Sequence, residues 1–317
     1  MRRIAIASAS LVIVLLPVFF YLRRDTSYDR SFDTRVAAPA YQGAGPVVLY
    51  DEGHRNTHLS TTGYKPFVDM IRNDGYVVRT SKGVLTASEM RGVGVLVLVL
   101  PRGANPTEDS SAYTEAECAA IAEWVAAGGS LLLVSDHWPY GLATSSLARR
   151  FAVYLSGGFT EDPKYHDPER GESHLVFSRE NGLLGEHPIT RGVNRVLTFT
   201  GTSMKGPDGA AYLLALSDSA TDRPAGPARI ERSGGDVRVL MEYGDPRPAG
   251  GYAQGIALAF GRGRVVLLGE AGMLRAQKDR TGLVGMNVPG YDNRQLALNI
   301  MHWLSRAGEA AAPSPGS

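Results

Sequence analysis

The acids and histidines of this chain collect where apolar runs end. VVLYDEGHRNTH (Val47 to His58) opens with Val47, Val48, Leu49 and Tyr50, then carries Asp51, Glu52, His54, Asn56 and His58. SLLLVSDH closes on Asp136 and His137, and RVVLLGE closes on Glu270. Carboxylates and imidazoles gathered in one pocket have three uses. They hydrogen-bond a polar ligand, act as general acid and base, or ligate a divalent metal such as zinc. In an open α/β sheet, ligands bind outside the carboxyl ends of the strands, where these residues fall. Gln254, at the edge of the apolar run IALAF, joins them as a further hydrogen-bonding group.

Each residue also has a plainer use. Asp51 and Asp136 suit the cap of a following helix, and Pro139 suits a first helical turn. His54 and His58 stand four apart, a ligand spacing on a helix, but Gly53, Asn56, Thr57 and the run to Gly63 predict a loop. The metal alternative therefore rests on His54, His58, Asp136 and His137 meeting through the fold. Glu270 could pair with an arginine, Gln254 could be an ordinary strand residue, and His302 beside Trp303 reads as packed.

Several chemistries are excluded. An elbow nucleophile needs small neighbours, as in G-x-S-x-G, whereas Ser135 is flanked by Leu133 and His137. Cys118, the one cysteine, falls in a helical pattern, so neither a disulfide nor a thiolate cage can form. No G-x-G-x-x-G or phosphate-loop lysine follows a strand. A net charge of +1 without cationic clusters argues against nucleic acid.

The elements that must position these groups alternate. The first strand leads to a helix near Pro66, then to the strand YVVRT. VGVLVLVLP (Val93 to Pro101) is apolar throughout, as in a parallel strand covered on both faces. Thr114-Glu-Ala-Glu117 fits a capping box opening a helix with Cys118, Ile121 and Val125 inward. After Gly128 and Gly129 comes the strand that ends at Asp136. This predicts a doubly wound α/β sheet. Short strands follow in the C-terminal half, with a hairpin turn at Gly261-Arg-Gly263 and a closing helix that Asp292 and Gln295 can cap.

Arg2 and Arg3 precede nineteen uncharged residues, Ile4 to Leu22, followed by Arg23 and Arg24. That run is about long enough to cross a bilayer, and the Ala-x-Ala site (Ala38 to Ala40) lies well beyond it. The expected layout is an uncleaved anchor over 1–24, a linker over 25–45, the α/β domain over 46–305 and a disordered tail over 306–317. The charge balance places the domain outside the cytoplasm.

DEGHRNTH with GYKPFVDMIRNDGYVV, GGSLLLVSDHWPYG, HPITRGV with TFTGTSM, GEAGMLRAQ and MNVPGYDNRQLALNIMHWL resemble a bacterial family with a class I glutamine amidotransferase-like domain. That domain is related to those of gliding-motility and intraflagellar-transport proteins. The resemblance spans roughly Val47 to Leu304 and implies a flavodoxin-like, mostly parallel sheet with added antiparallel strands. It does not imply glutaminase activity, because Ser135-Asp136-His137 stands where the catalytic cysteine would be. The expected function is a membrane-tethered module binding a polar small molecule or glycan without a cofactor. Its expected site is Asp51, Glu52, His54, Asn56, His58, Asp136, His137, Gln254 and Glu270, with Tyr50, Trp138 and Tyr140 available for stacking. The alternatives are a hydrolase using a divalent metal on His54, His58, Asp136 and His137, and a non-catalytic partner domain in an envelope complex.

Overall fold

The computed structural model describes residues 27–105, 110–138, 140–233, 236–279 and 282–309. The expected anchor and the end of the tail, 310–317, lie outside them. Among the described residues no helix is long and apolar enough to cross a membrane.

Nine strands form the main sheet: β1 (Val47–Asp51), β2 (Val77–Ser81), β3 (Val95–Val99), β4 (Ser130–Val134), β5 (Tyr154–Leu155), β6 (Met204–Lys205), β7 (Ala211–Ala215), β8 (Ala253–Phe260) and β9 (Gly263–Leu268). Their order is β2-β1-β3-β4-β9-β8-β6-β5, with β7 also paired to β8. The block β2-β1-β3-β4-β9 is parallel, and the pairings beyond β9 are antiparallel. A parallel order of this kind is the flavodoxin-like arrangement. Antiparallel strands in the C-terminal half enlarge it, as the sequence predicts.

Helices cover both faces. On one, α1 (Lys65–Asn73) and α4 (Asn293–Ser305) pack Phe67, Ile71, Leu296, Ile300 and Leu304 against Val48, Tyr50, Val97, Leu132 and Val134. On the other, α2 (Glu115–Ala126) and α3 (Ser145–Arg150) pack Cys118, Ile121, Val125 and Leu147 against Leu49, Leu96, Leu98, Leu131 and Leu133. Alternate residues of each strand thus feed two separate cores, which is why β3 and β4 are apolar without a break.

Thr114 caps α2 as expected: its hydroxyl accepts from Glu117 N–H, and Glu117 Oε2 accepts from Thr114 N–H at 3.0 Å. Thr114→Ala should lower stability by about 1–2 kcal/mol in urea unfolding, with Thr114→Ser nearly neutral. Asp292 makes no side-chain cap on α4. Its carboxylate instead accepts from the N–H groups of Asn194 (2.7 Å) and Arg195 (3.1 Å). At the expected hairpin, Phe260 pairs with Gly263 around Gly261 at φ 57°. A Cβ on Gly261 would lie 2.7 Å from Ala126 Cα, so only glycine fits that turn.

Residues 27–45 are not a free linker. Phe32, Val36 and Tyr41 pack on the core. Asp29 N–H bonds the Ala276 carbonyl at 2.8 Å, and Asp74 accepts from Ala40 N–H at 2.8 Å. At the other end, Arg264 holds Glu309 at 3.0 Å, so the first residues after α4 are also fastened.

Candidate functional site

The strand ends that carry the acids lie along one rim, in the order β1, β3, β4, β9. Strand register divides them. Tyr50 pairs with Val97, and Val97 with Leu132, so Asp51 lies level with Leu133. Asp136 is three residues further along, about 10 Å at a strand's rise, and two strand spacings, about 10 Å, to the side. Side-chain alternation separates them further. Asp51 follows Leu49 onto the α2 face, whereas Asp136 and Glu270 follow Val134 and Leu268 onto the α1/α4 face. The expected single cleft is two clusters on opposite faces of the sheet.

The first cluster is closed. His54 Nδ1 lies 2.9 Å from both Asp51 carboxylate oxygens, and its Nε2 lies 2.9 Å from Glu117 Oε1. Carboxylates only accept, so both ring nitrogens carry hydrogen and the ring is an imidazolium. Burial pulls the His54 pKa down, but the bonds and charges of Asp51 and Glu117 overturn this and raise it. Burial also pushes Glu117 up. Bonds from Thr114 and Leu85 N–H, the Thr114 hydroxyl and His54 outweigh that and hold it below its usual value. Asn56 Nδ2 donates to Asp51 (3.2 Å) and to the Val99 carbonyl (3.0 Å). The Tyr113 ring lies tilted against the His54 ring, with centroids 4.5 Å apart. Glu52 turns aside to accept from Ser60 N–H and hydroxyl at 2.9 and 2.7 Å.

This network fastens the loop after β1. Thr57 N–H bonds the Leu100 carbonyl, Arg102 N–H bonds the His54 carbonyl, and Arg102 Nε donates to the Arg55 carbonyl at 2.6 Å. The crevice between β1 and β3, the usual ligand position where strand order reverses, is filled by the protein's own groups. His54 has no nitrogen left for a metal. His54, His58, Asp136 and His137 do not assemble, and among the described residues no three His, Cys, Asp or Glu are grouped to hold a metal. Tyr50 is also removed from the expected stacking set: it is buried, with its hydroxyl donating to the His58 carbonyl at 3.0 Å.

The second cluster is incomplete. Val134 and Leu268 are register partners, and Asp136 and Glu270 each stand two residues beyond, on neighbouring strands. Asp136 accepts from His137 N–H (2.8 Å) and Ala271 N–H (3.2 Å). Glu270 accepts from Gly272 N–H and, at 2.7 Å, from Met273 N–H. Burial drives both acids above their usual range. The Asp136 charge pushes Glu270 further, while His137 and Arg275 partly restrain Asp136. His58, which the sequence groups with His54, belongs here: its ring stacks on Tyr64 at 5.4 Å, and the Tyr64 hydroxyl donates to the Ala271 carbonyl at 2.7 Å. His137 Nδ1 lies 2.6 Å from the Trp138 carbonyl and therefore carries hydrogen.

Gln254 is the decisive member. Its side chain is fully buried, and among the described residues neither amide atom has a hydrogen-bond partner. A Cβ built on Gly201 would lie 2.9 Å from Gln254 Nε2 and 3.0 Å from Glu270 Cβ, so the amide nitrogen and the root of the Glu270 side chain both close on the Gly201 backbone. Phe159 and Tyr243 lie on the Asp136–His137 side of the cluster. The His137 and Phe159 rings are 5.2 Å apart, the Phe159 and Tyr243 rings 5.6 Å, and the charge of Asp136 reaches Tyr243. Sequence reading missed Tyr64, Phe159, Tyr243 and Arg275. Tyr64, in the GYKPF stretch, and Arg275, in GEAGMLRAQ, are near motifs that could have flagged them.

No protein-family model matches the chain, and no curated protein sequence does. Among solved structures, the mmIFT52 N-terminal domain is similar over 83% of this chain and 99% of its own length, at 14% identity and TM-score 0.55. The intraflagellar-transport likeness expected from the strand-end segments thus holds for the fold. A thua-like protein from Bacteroides uniformis matches 87% of this chain and 95% of its own at 14% identity and TM-score 0.39. A GMP synthase protein from Thermoplasma acidophilum matches 82% and 95% at 10% identity and TM-score 0.41.

Proposed function

We propose that this chain is a membrane-tethered, extracytoplasmic binding module, related to class I glutamine amidotransferases but without glutaminase activity. Its ligand is a polar small molecule such as a sugar or another envelope component. The site lies at Asp136, Glu270 and Gln254, walled by His137, Phe159 and Tyr243. The observation that carries this reading is the Gln254 amide, buried, without a partner among the described residues and close to the root of the Glu270 side chain. A polar group left so costs about 1–3 kcal/mol, and a ligand that bonds it recovers that cost on binding. The amide and carboxyls read hydroxyl and amide groups, and the aromatic rings suit the C–H face of a sugar.

Loss of glutaminase chemistry follows from the missing thiol. The strand before the site ends in Ser135-Asp136-His137, and Cys118 is buried within α2 beneath the sheet. The uncharged run Ile4 to Leu22 supports tethering.

Saturation-transfer NMR on the full-length chain, with monosaccharides and a peptidoglycan fragment as probes, tests the reading. Transfer from at least one probe is expected, and it should vanish in Gln254→Met. Ammonia release from glutamine, or transfer unchanged in that variant, would overturn it.

A further inference from the structure

The path of residues 27–45 fixes which end of the sheet lies toward the N-terminus. The parallel strands β1, β3, β4 and β9 all end on the rim that carries Asp51, Asp136 and Glu270. Ser27 is held on that rim. Its carbonyl accepts from Arg275 Nη2 at 3.2 Å, and Arg275 is near enough for its charge to reach Asp136. Tyr28, Arg30 and Phe32 then line a groove with Lys65 and Pro66, in the first turn of α1. From there the chain follows α1 away from the rim. Asn73, which ends α1, donates to the Thr34 carbonyl at 3.0 Å, and Gly45 N–H bonds the Gly75 carbonyl at 3.0 Å. Residues 27–45 are therefore a strap from the acid-bearing rim to the opposite one, where β1 starts.

Four residues, Arg23 to Thr26, separate Ser27 from the uncharged run that ends at Leu22. Fully extended, that stretch reaches roughly 17 Å. We propose that the strap turns the acid-bearing rim toward the membrane and holds it against the lipid headgroups. The inference rests on the tethering part of the proposed function and adds an orientation to it. An anchor joined directly to β1 would put the opposite rim at the bilayer, because β1 enters the sheet from there. The surface of the acid-bearing rim fits a headgroup layer. Val84, in the loop after β2, is 62% exposed, and Lys82 beside it is exposed as well. The loop after β1 adjoins it, since a Cβ on Gly53 would lie 2.7 Å from the Gly83 carbonyl oxygen, and carries the exposed Arg55. The acid of that loop, Glu52, is occupied by Ser60. An apolar tip flanked by cations suits anionic lipid.

Tryptophan fluorescence of the full-length chain in vesicles of phosphatidylethanolamine and phosphatidylglycerol, with a headgroup-spin-labelled lipid as quencher, reads the orientation. Trp138 follows His137 on the acid-bearing rim. Trp303 is in the last turn of α4, which starts beside Met273 and leads away from that rim. Two variants each keep one of these tryptophans and carry phenylalanine at the other and at Trp124. The 13 residues of α4 put about 20 Å between its ends, so Trp138 should be quenched at least about twofold more than Trp303. A Gly-Ser insertion of about 24 residues between Thr26 and Ser27, averaging roughly 27 Å end to end, should abolish the difference. Trp303 quenched as strongly as Trp138 overturns the orientation and leaves the tether standing. A difference that survives the insertion overturns the strap as its cause. A chain that does not float with the vesicles overturns tether and orientation together.

Discussion

Replacing His54 by alanine is expected to lower folding stability by about 3–5 kcal/mol, because it strips a buried cation from two carboxylates that have little access to water. Asp51 is fully buried and Glu117 nearly so, and each loses a 2.9 Å bond to the ring. Glu117→Gln added to His54→Ala should recover part of the loss by removing one uncompensated charge. The sign of the pH dependence follows from the shifts. The His54 pKa is raised, so its contribution is complete below the unfolded imidazole value of about 6.5 and fades as pH rises through the folded value. Glu117 is lowered, so its contribution is present above its ordinary value of 4.5 and lost as pH falls through the folded one. The gap between wild type and His54→Ala should be widest between those limits and narrow on the alkaline side. Urea unfolding across pH measures it, and a gap below about 1 kcal/mol would show the network to be solvated.

The same network shows what the sequence could and could not disclose. The capping box at Thr114 was legible, because capping is a local pattern of four residues. That the other oxygen of Glu117 reaches His54, 63 positions away, was not. Parallel strands covered on both sides read as apolar throughout, so no alternation tells which face Asp51 or Asp136 will take. Face is set by pairing: Asp51 shares its side with Leu49, and Asp136 with Val134. Sequence therefore located the strand ends that carry the acids and merged two clusters that the sheet keeps apart. His58 illustrates the limit. It stands four residues from His54, yet the loop carries it over to stack on Tyr64 of the other face. Phe159 and Tyr243 come from the irregular C-terminal half, where no periodicity links them to Asp136.

Gln254→Met is expected to do two opposed things at once. The side chains are of similar volume and both unbranched, so the core around β8 should keep its packing. What is removed is an amide whose oxygen and nitrogen are both buried without partners among the described residues, a cost of about 1–3 kcal/mol to the free protein. The variant should therefore unfold at higher temperature, by about 2–4 °C for each kcal/mol in a chain of this size. It should also fail to bind any sugar that the wild type holds. Stability gained where binding is lost marks a residue kept for a ligand rather than for the fold. Calorimetric scanning of the two proteins decides it. A variant that melts several degrees lower would mean that the amide already has a partner, such as an ordered water, when the site is empty. Gln254 would then belong to the fold, and the case for a ligand at this corner would lose its main support.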